Sequence, residues 1–170
     1  MLLLGLGSNL SSNFGNRFKN IDIAISHLQS YEIKIVNRSS FYETPSYPDS
    51  KNPKFINVMV DISTQLPPED LASVLIFAEE KLGRKREQKN DPRTCDIDII
   101  DYNGEIMSFN YKNLIFKVPH EKLVYRNFVL FPLQEIAPNW IHPETKEKIS
   151  TLIAKLPEVD RKSILKVKKN

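Results

Sequence analysis

The chain predicts an α+β fold of the ferredoxin-like kind: a βαββαβ core with an antiparallel sheet, and added strand and helical segments at the C-terminal end. Three observations predict it. β-Branched and aromatic runs recur at four places, two apolar stripes with helical spacing lie between them, and the order of alternation is strand, helix, strand, strand, helix, strand.

The first strand is expected over residues 2–6, a short apolar run that ends in the turn signal Gly7-Ser8-Asn9. Over residues 15–29, Phe18, Ile21, Ile25 and Leu28 recur at spacings of three and four, the stripe of a helix packed on a sheet. Residues 33–42 and 55–62 read as strands. Residues 43–54 between them contain Pro45, Pro48 and Pro53 and read as a loop, longer than a plain hairpin needs. Pro67-Pro68-Glu69-Asp70 opens the second helix, since proline suits a first turn and acids favour the positive end of the dipole. Leu71, Leu75, Ala78 and Leu82 mark its buried face, and Gly83 stops it.

Residues 84–92 include Arg84, Lys85, Arg86 and Lys89 and almost nothing apolar, which predicts a mobile exposed loop. Strand character returns over residues 95–102, and Asn103-Gly104 signals a hairpin turn, with an irregular or strand segment continuing to Val118. Past Pro119, the spacing of Leu123, Phe128, Leu130, Phe131, Leu133 and Ile136 predicts short helices ended by Pro138. One domain is expected over residues 1–160, with a C-terminal tail over 161–170 whose closing Lys-Val-Lys-Lys-Asn frays.

Composition narrows the function. With 170 residues the chain suits one domain and one site, and a formal charge of +3 is too small to mark a nucleic-acid protein by itself. A single cysteine, Cys95, rules out an internal disulfide and the disulfide-scaffold class. The opening apolar run lacks the basic lead and cleavage site of a signal peptide, and no run approaches the roughly 18 apolar residues of a membrane span. The expectation is therefore a cytoplasmic monomer with no membrane and no nucleic-acid partner.

The informative segment is Pro92-Arg93-Thr94-Cys95-Asp96-Ile97-Asp98-Ile99-Ile100. On a strand, side chains repeat direction every second residue, so Asp96 and Asp98 project from one face while Ile97 and Ile99 enter the layer behind. Two carboxylates held together repel unless a cation sits between them, and hard oxygen ligands suit Mg²⁺, above all where phosphate oxygens complete the shell. Alone, such a pair is more often a solvated strand end. Here Arg93 precedes it and the cationic 84–92 segment lies upstream, a grouping able to grip polyphosphate. No phosphate-binding Gly-rich loop is present, and Gly5-Leu6-Gly7 lacks the third glycine of a dinucleotide fingerprint. The three histidines offer no zinc spacing.

From Leu4 to about Pro138 the chain resembles the hydroxymethyldihydropterin pyrophosphokinases. The motifs that carry the resemblance are Gly7-Ser8-Asn9-Leu10, Ser40-Phe41-Tyr42-Glu43-Thr44-Pro45, Phe55-Ile56-Asn57, Glu79 followed by Leu82-Gly83-Arg84-Lys85-Arg86, Pro92-Arg93-Thr94-Cys95-Asp96-Ile97-Asp98, and Val118-Pro119-His120 leading to Arg126-Asn127-Phe128. The resemblance implies transfer of diphosphate from ATP to 6-hydroxymethyl-7,8-dihydropterin, giving AMP and the pterin diphosphate for tetrahydrofolate synthesis. It implies that Asp96 and Asp98 hold two Mg²⁺ ions with ATP, and that Arg84 and Arg93 act with them in catalysis. Glu79, Arg84, Arg86, Arg93, Ile99, Lys117, His120 and Arg126 would contact ATP. Gly7, Thr44, Pro45, Tyr47 and Asn57 would contact the pterin edge, Asp96 would lie close to its hydroxymethyl group, and Phe55 and Phe128 would stack on its faces. The chain departs from the family pattern in a 83–92 segment one residue short, in Asn90-Asp91 where an aromatic-glycine pair is common, in Phe55 for tyrosine and in Lys117 for threonine. Two rival readings stay open on the residues alone: an RNA-binding module using the basic loop and exposed aromatics, and another nucleotidyl or phosphoryl transferase with the same two-aspartate site.

Overall fold

The computed structural model of the protein describes residues 1–47, 49–84 and 91–169. The elements run β1 (Leu2–Ser8), α1 (Arg17–Gln29), β2 (Lys34–Arg38), β3 (Phe41–Thr44), β4 (Phe55–Ser63), α2 (Pro68–Lys81), β5 (Asp96–Tyr102), β6 (Met107–Tyr111), β7 (Leu114–Val118), a 3-10 turn (Leu123–Tyr125), α3 (Asn127–Ile136), α4 (Ile149–Lys155), α5 (Glu158–Ser163) and β8 (Leu165–Val167). The chain is thus a mixed α/β fold, and the pairs β1–β4, β1–β5, β2–β4, β3–β4 and β3–β8 are all antiparallel. Strand order in the main sheet is β5-β1-β4-β3-β8, with β2 also on β4.

Local chemistry sets the helix ends where the sequence places them. Asn16 caps α1 by accepting from the Lys19 N–H at 3.0 Å, and Pro67-Pro68 leads into α2. Gly83 adopts φ +79, a left-handed turn open to glycine, and sends the chain back against α2.

Period-two alternation divides the sheet into two covered faces. Leu2, Leu4 and Leu6 of β1, Val58, Val60 and Ile62 of β4, and Ile97 and Ile99 of β5 pack against α1 and α2 in one core. Leu3, Met59 and Ile100 point the other way into a second core with α3, α4 and Trp140. A register shift in the β1–β5 ladder lies between Leu3 and Leu4, beside Ile100. Among the described residues no helix is long and apolar enough to cross a membrane.

Three expectations need correction. The strand expected over 33–42 is two strands, β2 and β3, that both pair with β4. The break falls at Ser39, whose N–H donates to the Met59 carbonyl and whose hydroxyl accepts from the Met59 N–H, both at 2.9 Å. Asn103-Gly104 does turn, at φ 55 and 76, but β6 does not return along β5. The Asn103 N–H instead donates to the Met1 carbonyl, and β6 pairs with β7 through Lys112-Asn113, at φ 47 and 62. That hairpin lies over α2, with the Tyr111 hydroxyl 2.7 Å from Ser73 and Phe109 stacked on Phe116.

The third correction is the tail. Residues 161–169 complete α5 and supply β8, which pairs with β3, while Val167 packs on the first core. Lys166 reaches Glu135 at 3.2 Å and Lys169 reaches Asp22, so the tail is tied at two points. A three-residue strand with one inward apolar side chain has too short a period to be read from sequence. The mobile loop expected over 84–92 falls mostly on residues 85–90, which lie outside the described residues.

The C-terminal segment contains a buried histidine with a testable consequence. His142, 4% exposed, accepts from the Glu144 and Thr145 N–H groups through Nδ1 at 3.2 and 3.1 Å, and its ring meets that of Trp140 edge-on at 5.6 Å. Burial pushes its pKa down, against an upward pull from Glu144, Asp101 and Glu147. The unfolded imidazole gains its proton near pH 6.5 while the folded one resists, so the unfolded chain binds protons first. Stability is therefore full above that pH and falls as the pH drops through and below it. Urea unfolding followed by Trp140 fluorescence should show a lower midpoint at pH 5.5 than at 7.5, and His142→Asn should reduce this difference.

Candidate active site

β1 runs between β4 and β5, and its register decides the site. Gly7 pairs with Asn57 on one side and Asp96 on the other; Gly5 pairs with Met59 and Asp98. Directly paired residues share a face, so Asp96, Asp98, Gly5, Gly7 and Asn57 all lie on the face that carries α3 farther along. A Cβ on Gly7 would come within 3.4 Å of Asn57 Oδ1 and 3.5 Å of Phe55, and one on Gly5 within 3.4 Å of Ile100. Lacking side chains there, β1 becomes the floor of a trough. The acid pair forms one wall and Asn57 with Phe55 the other.

Asp96 is held by arginines on two sides. Arg84 ion-pairs with it while donating to Glu79 Oε1 at 2.6 Å and to the Cys95 carbonyl at 3.2 Å, and Arg93 donates to Asp96 Oδ2 at 2.8 Å. Arg84 and Glu79 are buried, with side-chain exposures of 8% and 2%. Burial would weaken the Arg84 proton, but Asp96 and Glu79 outweigh it and push its pKa up. Glu79 also accepts from the Ile97 N–H at 2.7 Å, so it anchors β5 as well as the arginine.

Asp98 faces a different set. Arg126, the residue before α3, stands 3.7 Å away, and His120 lies beside Arg126 at 3.4 Å. Burial on its inner side and the charge of Asp96 push the Asp98 carboxyl up, partly offset by His120 and Arg126. Burial pushes His120 down, with Asp98 pulling back. The repulsion that raises Asp98 is the kind a cation relieves. Two carboxylates at alternate positions are hard oxygen donors that could hold a divalent ion, and among the described residues no third His, Cys, Asp or Glu joins them in a closed cage. Further ligands would have to come from phosphate or water.

A cleft of about 160 Å³ continues from the acid pair between Ile76, Ile97, Ile99, Leu114 and His120. A larger open depression of about 530 Å³ lies beside Asn9, but its charges are already paired: Glu43 holds Arg17 at 3.3 Å and Lys54 at 3.2 Å. The smaller cleft has the chemistry.

Phe55 and Phe128 each lie under a cation. The Arg93 guanidinium lies 5.7 Å over the Phe55 ring, and that of Arg126 lies 5.4 Å over Phe128. Asn57, 5% exposed, donates to the Thr44 hydroxyl at 3.0 Å. Other candidates stand apart from this group. Pro45 is exposed, Tyr47 is 87% exposed, and Lys117 turns its ammonium to Glu121 at 2.7 Å, although its residue lines the cleft. The Ile99 side chain belongs to the core, and the residue also lines the cleft. Arg86 lies outside the described residues.

Asn9 lies in the Gly7-Ser8-Asn9-Leu10 motif, whose pattern assigns it no task. Its amide donates to Ser46 Oγ at 3.2 Å and to the Pro53 carbonyl at 3.1 Å, and its oxygen accepts from the Arg93 N–H at 2.7 Å. One buried side chain thus ties the 45–54 loop to the segment that carries Arg93. Glu135 was also missed: it accepts from the Tyr42 hydroxyl at 2.6 Å and the Ser40 hydroxyl at 2.8 Å, fixing α3 to β3. Thr94 is the third. Among the described residues its hydroxyl is the one buried side-chain polar atom without a hydrogen-bond partner, a state that costs about 1–3 kcal/mol.

Residues 3–138 match the model of the family described as 7,8-dihydro-6-hydroxymethylpterin-pyrophosphokinase (HPPK). A Methylorubrum extorquens protein named 2-amino-4-hydroxy-6-hydroxymethyldihydropteridine pyrophosphokinase is 39% identical over 139 residues, covering 81% of this chain and 83% of the relative. The Pneumocystis carinii folic acid synthesis protein fol1 is 35% identical over 157 residues, which are 92% of this chain but only 21% of that protein. Among solved structures, a Plasmodium falciparum HPPK-DHPS variant with pterin and p-hydroxybenzoate superposes with a TM-score of 0.75 at 15% identity. That match covers 97% of this chain and 46% of the other, and it shows the shared fold. With the family model spanning both walls of the trough and the α3 segment behind it, the chain belongs to the 7,8-dihydro-6-hydroxymethylpterin-pyrophosphokinase family.

Proposed function

We propose that the protein transfers diphosphate from ATP to 6-hydroxymethyl-7,8-dihydropterin, yielding AMP and the pterin diphosphate in tetrahydrofolate synthesis. The observation that carries this reading is the glycine-floored trough, with Asp96 and Asp98 on one wall and Asn57 and Phe55 on the other. A flat heterocycle needs such a slot, bounded by an aromatic face and an amide that can both donate and accept. The acid wall then places the reacting hydroxymethyl end beside the phosphate-handling groups. The relatives' names, and the pterin in the Plasmodium crystal, support the same substrate.

The residues divide the work by charge. Arg84 and Arg93, now paired with Asp96, are placed to shift onto phosphate oxygens, and Arg126 with His120 sits where the other end of the phosphate chain would lie. Asp96 and Asp98 would hold Mg²⁺, which when bound with ATP neutralises phosphoryl charge as it develops. Thr44 fixes the Asn57 amide, and Asn9 fixes the 45–54 loop relative to Arg93, so both walls are set before substrate arrives. No described side chain is needed as a strong base, since positioning and electrostatics supply most of such a transfer.

The sheet order and the two crossover helices support the ferredoxin-like description, with β6–β7, α4, α5 and β8 added. We also infer a single domain, a monomer in the cytoplasm, and no nucleic-acid partner. Chromatography of reaction mixtures tests the function: AMP should form from ATP only when the pterin is present and should vanish with EDTA. Release of ADP or pyrophosphate instead, or AMP formation indifferent to pterin, would overturn it.

A further inference from the structure

Resting on the pyrophosphokinase reading, we propose that Thr94 is a positioning residue, whose hydroxyl takes up a hydrogen bond to the Asp96 carboxylate once metal and nucleotide are bound. Thr94 is 7% exposed and its hydroxyl is unpartnered. Valine would fill nearly the same space without burying a polar atom. The ligand-free fold therefore gains nothing from the oxygen, and its use belongs to another state of the site.

The surroundings say which state. Thr94 sits on a segment fixed from both sides: the Arg93 carbonyl accepts from the Asn9 and Leu10 N–H groups at 3.1 Å, and the Cys95 carbonyl accepts from Arg84. The Asp96 carboxylate is bonded to groups that hold this same segment: one oxygen meets Arg93, and the other meets the Arg84 nitrogen that also bonds the Cys95 carbonyl. Both arginines are cations that an incoming polyphosphate competes for. A neutral hydroxyl two residues from Asp96 is not drawn off by phosphate, and it does not repel a metal ion at the other carboxylate oxygen. Carboxylates that bind metals are themselves usually oriented by such a donor.

The test compares the parent with Thr94→Val and Thr94→Ser in three measurements: melting without ligand, equilibrium binding of a non-hydrolysable ATP analogue with Mg²⁺, and single-turnover AMP formation. Thr94→Val should melt at or above the parent temperature yet bind the metal–nucleotide pair about tenfold or more weakly, with slower turnover. Thr94→Ser, which keeps the oxygen, should bind close to parent. Equal binding by Thr94→Val would overturn the proposal, as would a lower melting temperature, which would mean the hydroxyl is already bonded in the free protein. Impairment of Thr94→Ser equal to that of Thr94→Val would overturn it too, by assigning the effect to the methyl group. A parent that makes no AMP from ATP and pterin would instead defeat the underlying reading, and the metal-binding comparison does not depend on which acceptor is used.

Discussion

Asp98→Ala is expected to slow single-turnover AMP formation by roughly 10²–10³-fold or more, while the ligand-free protein melts at or slightly above the parent temperature. The two halves come from one arrangement. In the free protein the Asp98 carboxyl is pushed up by burial and by Asp96, and a carboxyl harder to ionise folded than unfolded costs stability at neutral pH. Its side chain is still 37% exposed, so water screens much of that cost and the gain on removal is small. In the reaction the same crowding becomes useful, because a second carboxylate beside Asp96 is what a divalent cation and a phosphate chain require. Asp98→Asn separates charge from shape and should lose nearly as much rate. Rates near the parent for both variants would remove Asp98 from the chemistry, and a large drop in melting temperature would mark it as structural.

The acid pair was legible in the sequence because its logic is local. Alternation on a single strand puts Asp96 and Asp98 on one face whatever that strand pairs with, and the structure has them there. The trough they border was not legible. It exists because β1 lies between β4 and β5 in a register that sets Gly7 beside both Asn57 and Asp96, partners 50 and 89 residues away along the chain. No window on the sequence holds that relation. The split at Ser39 and the detour of β6 were hidden for the same reason, each depending on a hydrogen bond to a distant part of the chain. Tyr47 and Lys117 show a further limit. A motif can align a residue with a role, but the side chain goes where local partners and solvent take it, for Lys117 onto Glu121.

Glu79 is where sequence and structure diverge most, and it carries the largest expected effect on stability. By spacing it is one of two neighbouring acids near the end of a helix, an ordinary solvated residue. Gly83 changes that. Its left-handed turn reverses the chain so that the Arg84 N–H donates to the Glu79 carbonyl at 3.1 Å and the Arg84 guanidinium lies on the Glu79 carboxylate, both side chains then covered by β5. Truncation leaves a cation in a nearly closed space with one anchor lost, and orphans the Ile97 N–H at 2.7 Å. Removing one partner of a buried pair typically costs about 3–5 kcal/mol. Glu79→Ala should therefore lose about that much in urea unfolding read by Trp140 fluorescence. Glu79→Gln keeps an oxygen for Ile97 and should lose visibly less. Turnover should fall in both, because Arg84 is then aimed only by Asp96 and Cys95, the contacts it must exchange for phosphate. Glu79→Ala within about 1 kcal/mol of the parent would mean the arginine finds water or another acid, and the ion-paired group of Glu79, Arg84 and Asp96 would not be what holds this wall of the site.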